Sequence, residues 1–112
     1  MIEKTILDYL SERVEVPAYM QVPENQPEAF LVIEKLGGGM ENHIFSAVIS
    51  VEAYGPSLYA AASLNEQVKG AMLYGPLPNE ITRVRLNSDY NYTDPTTKQC
   101  RYRAVFDITH YQ

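Results

Sequence analysis

The sequence contains few of the residues that small domains use for disulfide bonds and metal sites. It contains one cysteine, Cys100, two histidines, His43 and His110, and no tryptophan. A disulfide needs two cysteines, and a zinc site usually takes several Cys or His ligands. We therefore expect neither a disulfide nor a metal site within one subunit.

Long apolar runs and an excess of positive charge are also missing. The longest apolar runs, such as Phe30–Ile33, are far shorter than the roughly 20 residues that span a bilayer, and the start Met-Ile-Glu-Lys lacks a signal-peptide pattern. We therefore expect the protein to mature in a cytoplasm. Nine Lys and Arg against fourteen Asp and Glu give a net charge of −5. Because sequence-independent affinity for phosphate comes from basic side chains, this balance argues against a general nucleic-acid binder.

The composition that remains is that of an ordinary globular protein. The chain has 112 residues, of which 46% are hydrophobic and 21% charged. This length is close to the common size of one domain, and the apolar fraction suffices for a core. We expect a single domain over residues 1–112.

The first third predicts one helix followed by an extended stretch. Met1–Val14 reads as a short amphipathic helix, since its apolar residues recur every four positions: Ile2, Ile6, Leu10 and Val14. Pro17 disfavours helical geometry in the residue before it. Ala18–Val22 is at most a short edge strand.

The middle of the chain predicts two strands joined by a glycine loop. Phe30–Leu36 is rich in β-forming residues, and apolar residues alternate with polar ones from Phe45 to Ala53. The connection, Gly37–Asn42, is too long for a two-residue turn. Its glycines, Gly37, Gly38 and Gly39, permit positive φ values and mobility.

A second helix is predicted from Pro56 to Leu73. Pro56 suits the first helical position, and Gly75-Pro76 stops the helix. The expected core stripe follows helical spacing: Ala61, Leu64, Val68, Ala71 and Met72.

The last third predicts a long hairpin. Arg83–Tyr92 and Cys100–Thr109 alternate between apolar and polar residues and flank a turn at Thr93–Thr97. If Tyr92 faces Lys98, all apolar residues fall on one face, with Tyr90, Tyr92 and Tyr102 among them. The same register predicts two complementary pairs on the opposite face: Asp89 with Arg101, and Arg83 with Asp107.

The polar face of this hairpin gathers four cations and two carboxylates. Its members are Arg83, Arg85, Arg101, Arg103, Asp89 and Asp107. Three interpretations stay open: a solvated, salt-bridged face, an interface with an acidic neighbouring surface, or a nucleic-acid contact.

Catalytic and ligand-binding motifs are few. We expect His43 and His110 to be surface or edge residues rather than catalytic ones. Gly37-Gly38-Gly39 could cradle a phosphate, but no Gly-Lys-Ser/Thr follows, which favours a flexible hairpin loop. Cys100 is predicted to be a small buried hydrophobe on the last strand.

Four segments of the sequence together resemble a known family. They are Leu31–Ile44, Ser57–Lys69, Leu86–Asp94 and Tyr102–Tyr111. In this order they are similar to the tail terminator, or tail-completion, proteins of long-tailed phages and prophages of Gram-positive bacteria. The resemblance covers nearly the whole chain.

The resemblance implies both a fold and a role. The fold is α+β, a mainly antiparallel sheet of four to five strands flanked by two helices, which agrees with the order α-β-β-β-α-β-β. Such subunits close into a ring, commonly six-fold, that caps the tail tube, ends its polymerisation and joins the head connector. The family is not enzymatic and uses no cofactor. DNA passes through the ring without specific binding, and the protein moves from the host cytoplasm to the virion at the head–tail junction.

Surfaces would then carry the function. A head-to-tail ring needs two complementary patches per subunit. Our hypothesis places one on the arginine face and the other on an acidic surface around Glu3, Asp8 and Glu12. The glycine loop and the hairpin tip with Tyr90 and Tyr92 are candidates for contacts with the tube and the connector.

Two alternatives remain. One is another head–tail adaptor or minor virion protein, which would differ in the partner that it captures. The other, from a different class, is a small ligand-binding domain or enzyme, which would need a concave pocket with convergent polar groups.

Overall fold

A computed structural model describes residues Met1–Tyr111. Two helices and five strands follow one another along the chain. They are α1 (Ile2–Arg13), β1 (Ala18–Tyr19), β2 (Phe30–Glu41), β3 (Ile44–Tyr54), α2 (Leu58–Tyr74), β4 (Ile81–Asn91) and β5 (Arg101–His110).

The five strands form one mixed sheet in the order β1-β2-β3-β5-β4. All neighbours are antiparallel except β1, which pairs in parallel with β2 through Ala18–Leu31 and Tyr19–Val32. The predicted α+β class, the order of elements and the short first strand are confirmed.

Both helices pack on the same face of the sheet and enclose the main core. The predicted stripe of α1 is confirmed, because its four residues are all buried. Val51 and Phe106 are fully buried beneath the helices. The Tyr9 hydroxyl donates a 2.7 Å hydrogen bond to the Ala71 carbonyl and so ties α1 to α2.

Helix α2 begins later than predicted. Ser57 is its N-cap, with an extended backbone, and its hydroxyl accepts a 3.1 Å hydrogen bond from the Ala60 N–H. Pro56 precedes the cap instead of starting the helix, because a serine side chain can satisfy a free N–H of the first turn and a proline cannot. The stripe is confirmed, with Ala71 partly buried against the core.

The β2–β3 hairpin corrects the predicted glycine loop. Gly37, Gly38 and Gly39 lie in β2, paired with β3, and no glycine has a positive φ. The chain reverses at Asn42 and His43, whose φ values are 52° and 66°. A two-residue turn with both φ values positive matches the twist of the two strands, and Asn tolerates that conformation. The six-residue loop was therefore a wrong prediction.

The predicted register of the last hairpin is also wrong. Leu86 pairs with Phe106 instead of Ala104, and the register shifts between Leu86 and Ser88. A β-bulge there inserts Asn87 and reverses which face the following residues occupy.

The predicted ion pairs of this hairpin change with the register. Arg85, not Arg83, lies opposite Asp107, and Asp89 lies opposite Ala104 on the helix-covered face. Tyr90 and Tyr92 point away from the helices.

Two further predictions about this hairpin are corrected. Tyr102 pairs with Ala53, on the opposite face from Tyr90 and Tyr92. Cys100 precedes β5 and is only partly buried, so it is not a core residue. The turn predicted at Thr93–Thr97 is confirmed, since the Asp94 carboxylate accepts the Thr96 N–H at 2.8 Å.

Candidate interaction surface

The sheet has one face that no helix covers, called the helix-free face below. Its residues form five rows that cross β4, β5, β3 and β2 in that order. The rows are Tyr92–Arg101–Tyr54–Phe30, Tyr90–Arg103–Glu52–Val32, Ser88–Val105–Ser50–Glu34, Arg85–Asp107–Val48–Gly37 and Arg83–Thr109–Ser46–Gly39. The four predicted arginines and Asp107 do share this face. Asp89 and Gly38 lie on the other one.

Arg101 is held at the centre of an aromatic group. Its Nε donates to the Tyr92 carbonyl at 2.6 Å and its Nη1 to the Tyr54 hydroxyl at 3.1 Å. The guanidinium carbon lies 4.4 Å from the Tyr92 ring centroid, within the range of a cation–π contact. Phe30 stacks on Tyr54 at 4.4 Å between centroids.

Arg103 completes this group by facing two carboxylates. Its Nε lies 3.6 Å from Glu52 Oε2, and its Nη2 lies 3.8 Å from Glu34 Oε1. Its guanidinium carbon is 4.8 Å from the Tyr92 centroid. We call Glu52, Tyr54, Tyr92, Arg101 and Arg103 the arginine–tyrosine cluster.

Burial perturbs the titrating groups of this cluster. Desolvation raises the pKa of the Glu52 carboxyl, and the positive charge of Arg103 offsets part of that rise. Burial also raises the pKa of Tyr54, against the hydrogen bond from Arg101. The side chain of Arg103 is only 14% exposed, so the cluster fastens β3 to β5 and β4 rather than offering free charges.

The two arginines of the edge strand are different. Arg83 is exposed and forms no salt bridge within 4.0 Å among residues 1–111. Arg85 lies 3.3 Å from Asp107, yet its side chain is 68% exposed. Asn87 donates to the same carboxylate at 3.2 Å. Of the four predicted arginines, the two that are available to a partner are therefore Arg83 and Arg85.

Two of the predicted glycines, Gly37 and Gly39, form a strip without side chains on β2, at the other end of the helix-free face from β4. A Cβ added to Gly37 would meet nothing within 4 Å, and one added to Gly39 would only touch the Ser46 hydroxyl at 3.5 Å. A shallow depression of about 430 Å³ runs from this strip to β5, lined among others by Val48, Asp107 and Thr109.

Exposed apolar side chains mark the tip of the β2–β3 hairpin. Leu36, Met40 and Ile44 are 47%, 60% and 41% exposed. Met40 pairs with Phe45, whose ring stacks on His110 at 5.4 Å, and Ile44 follows the turn directly, whereas Leu36 lies at the β-bulge farther along β2. Single exposed apolar residues are ordinary, but Met40 and Ile44 lie together at one hairpin tip and are candidates for a contact surface.

Asp89 contributes to a separate polar cluster between β4 and α2. Its Oδ1 accepts from Lys69 Nζ at 3.2 Å and from Asn65 Nδ2 at 3.3 Å. Lys69 also lies 2.7 Å from Glu66, and the hydrogen bond to Glu66 is the main cause that raises the pKa of Lys69. Asp89 is thus a structural anchor for α2, away from the arginine face where it was predicted.

The acidic surface predicted on α1 is only partly free. Asp8 pairs with Lys4 at 2.7 Å, Glu3 is partly buried, and Glu12 is exposed.

The two histidines differ in their exposure to solvent. His43 is exposed at the hairpin turn, as predicted. His110 is buried in β5, an inner strand, so its expected surface or edge position was wrong.

Sequence reasoning missed Glu52 and Tyr54, which belong to the arginine–tyrosine cluster, and Glu34, which lies 3.8 Å from Arg103. Glu52 follows the polar parity of its strand, which does place it on the helix-free face. Glu52 is buried because β5 is the neighbour of β3 in the sheet. Along the chain α2 and β4 separate these two strands, so the local periodicity of β3 does not predict the burial of Glu52.

No three His, Cys, Asp or Glu residues between Met1 and Tyr111 stand close enough together to hold a metal ion. Within that same range no helix combines the length and apolar character required to cross a bilayer. No known family model matches the sequence, and no curated protein matches it.

Proposed function

We propose that this chain is a structural subunit of a phage or prophage tail, which caps the tail tube as a ring and ends its polymerisation. The same ring would offer the joining surface to the head connector. The proposal rests on the ordered resemblance of four segments to tail terminator proteins. The fold supports it, because the sheet flanked by two helices is the architecture that this resemblance implies.

The observation that carries the proposal is the division of the sheet into a packed face and an open one. Helices bury one face, while the other presents rows that end in exposed arginines on β4 and in a glycine strip on β2. A ring subunit needs two different surfaces that its copies can join. These two edges lie on opposite sides of one sheet and differ in charge and shape.

The proposed role acts through contacts rather than catalysis. Exposed apolar residues at the β2–β3 tip and Tyr90 on β4 supply candidate surfaces for the tail tube and the connector. The net charge of −5 suits a conduit, since an acidic wall repels the DNA backbone that must slide past it.

The test is control of tube length. The matching tail tube protein is polymerised with and without the full chain, and tube lengths are measured by electron microscopy. We expect capped tubes of bounded length with the chain, and continued growth without it. Unchanged growth at saturating chain would refute the proposal.

A capture experiment separates this role from that of another head–tail adaptor. An immobilised chain should retain assembled tail tubes and, once on the tube, the connector. Retention of the connector alone, with no binding to tubes, would favour the adaptor role.

A further inference from the structure

Among residues 1–111, two strand edges of the sheet have no partner strand over much of their length. β4 is the last strand on one side, and β1 covers β2 only at Leu31 and Val32 on the other. An unpaired edge presents free N–H and C=O groups that can pair with another chain. We propose that β4 of one copy pairs with the uncovered part of β2 of the next copy, so that the sheet continues across the subunits.

The strand directions favour this junction. In the sheet order, β4 runs antiparallel to β5, β5 to β3 and β3 to β2. β4 and β2 of one subunit therefore run in opposite directions. Copies placed side by side in the same orientation bring these strands together as an antiparallel pair, the more stable arrangement per residue. Such a junction is head-to-tail, as a ring requires.

The lengths of the two free edges also agree. Following the rows across the sheet, the β4 segment from Ile81 to Ser88 lies level with Met40 to Glu34 of β2. Beyond Ser88 the level reaches Val32, which β1 already covers. Side-by-side placement without a vertical shift therefore pairs residues 34–40 of β2 with residues 81–88 of β4, which is bulged at Thr82 and Asn87, and stops short of β1.

The side chains on the helix-free face fit in this register. Arg85 of one copy faces Gly37 of the next, and Arg83 faces Gly39. The absence of side chains there leaves room for two long cations, and inside the subunit a Cβ at Gly37 would meet nothing within 4 Å. A glycine within a strand often marks the close approach of another chain.

Charge complements this shape. In the same register Glu34 is the diagonal neighbour of Arg85, and Glu41 of Arg83, on the helix-free face. Diagonal neighbours lie about 7–8 Å apart, within reach of long side chains. Glu34 and Glu41 are exposed in the subunit. On the other face Val84 and Ile81 come to lie beside Gly38 and the exposed Met40, which extends the apolar surface.

The partner is therefore a second copy of this chain. The biological role of this junction rests on the proposed function, because a tail-capping ring needs a junction between its subunits. Its physical basis is the two edges alone, which allows the two proposals to fail separately.

Cysteine cross-linking tests the register. Arg85→Cys and Gly37→Cys are combined in the full chain with Cys100→Ser, and the protein is oxidised over a range of concentrations. Within one subunit these positions are three strand spacings apart, about 14 Å, which is too far for a disulfide. We expect a ladder of disulfide-linked oligomers on a non-reducing gel. Tyr90→Cys with Gly37→Cys is the matched control and should give none.

Oligomer size supplies a second measurement. Gly37→Leu adds a side chain where the isolated subunit has open space, so we expect normal folding but loss of the associated species in sedimentation velocity. Gly70→Leu is the control, since an added Cβ on α2 also meets nothing within 4 Å, and it should associate as the parent does. Absence of the ladder, or equal association of both leucine variants, would overturn edge pairing.

The outcomes distinguish the two proposals. Cross-linked oligomers that fail to stop tube growth would refute the tail function and leave the junction standing. Bounded tube length without a cross-link between positions 85 and 37 would refute the junction and leave the tail function standing.

Discussion

Arg103 and Glu52 should be strongly coupled, because each is buried against the other on the helix-free face. The side chains are 14% and 9% exposed and 3.6 Å apart. Arg103→Met retains much of the side-chain volume but leaves Glu52 without its closest cation. Removing one partner of a buried pair typically costs 3–5 kcal/mol. Because the separation is long for a hydrogen bond and Glu52 can take a proton, we expect a loss of about 2–4 kcal/mol in the free energy of unfolding.

The reverse change should cost less. Glu52→Gln leaves Arg103 with Glu34 at 3.8 Å and with the Tyr92 ring, so we expect a loss of about 1–2 kcal/mol. The double variant then lacks both buried charges and should lose no more than Arg103→Met alone. The resulting coupling energy is about 1–2 kcal/mol.

Urea unfolding of the four proteins at pH 7, followed by circular dichroism, measures this cycle. Lys4→Met is the matched control for loss of a cation, because the Lys4–Asp8 pair on α1 is exposed, and it should cost under about 1 kcal/mol. If the two single changes at Arg103 and Glu52 add within about 0.3–0.5 kcal/mol, the side chains do not act as a pair and the account of the cluster is wrong.

Three further changes test other parts of the structure. Burial raises the pKa of Glu52 above 4.5, so its contribution to stability is greatest below the unfolded pKa and is lost as pH rises through the folded pKa. The stability advantage of wild type over Glu52→Gln should therefore be largest near pH 4 and shrink as the pH rises towards 7, measured by denaturation at each pH, and parallel profiles would contradict this. His43→Gly should add about 1 kcal/mol to the free energy of unfolding and so raise the melting temperature, because His43 has a φ of 66°. His43→Val should lower the melting temperature, and equal melting temperatures of the three proteins would exclude backbone strain at the turn. Ser57→Ala should cost about 1 kcal/mol by freeing the Ala60 N–H, whereas Ser57→Asp should retain most of the stability.

The helices and the hydrophobic strands were accessible from the sequence because their signals are local. The fourfold spacing from Ile2 to Val14 and the alternation from Phe45 to Ala53 each identify a buried face without any knowledge of the partner. The five-strand order did not follow from those patterns alone. The patterns predicted the strands and their order along the chain, and the resemblance implied a mainly antiparallel sheet flanked by two helices, but neither predicted which strands are neighbours in the sheet.

The wrong predictions lie where one extra residue in a strand, or the position of a turn, changes the pairing register. A single extra residue at Asn87 reverses parity, which moved Asp89 to the helices and Tyr90 to the arginine face. At the other hairpin the three glycines predicted a loop, but backbone pairing with β3 held them extended. The left-handed positions went to Asn42 and His43 instead. Local composition does not reveal which residues a neighbouring strand will hold in register.

The sequence predicted which arginines share one face of the sheet, but it did not predict which of them are already paired within the subunit. The four arginines do share one face, yet Arg101 and Arg103 are occupied by Tyr54, Tyr92 and Glu52. Tyr54 and Glu52 lie on β3, far away along the chain, and only Tyr92 belongs to the same hairpin. Sequence alone could not separate these structural cations from the exposed ones on β4.

The place of β3 in the sheet has a consequence for how the chain folds. The hairpins β2–β3 and β4–β5 join neighbours in sequence, whereas the seam between β3 and β5 joins residues such as Phe45 and His110, more than half the chain length apart. Closing such a long loop costs entropy before the seam can form. We expect the two hairpins to form early and the β3–β5 seam to set the folding rate. Destabilising substitutions at the hairpin turns and along that seam should therefore slow refolding more than they speed unfolding.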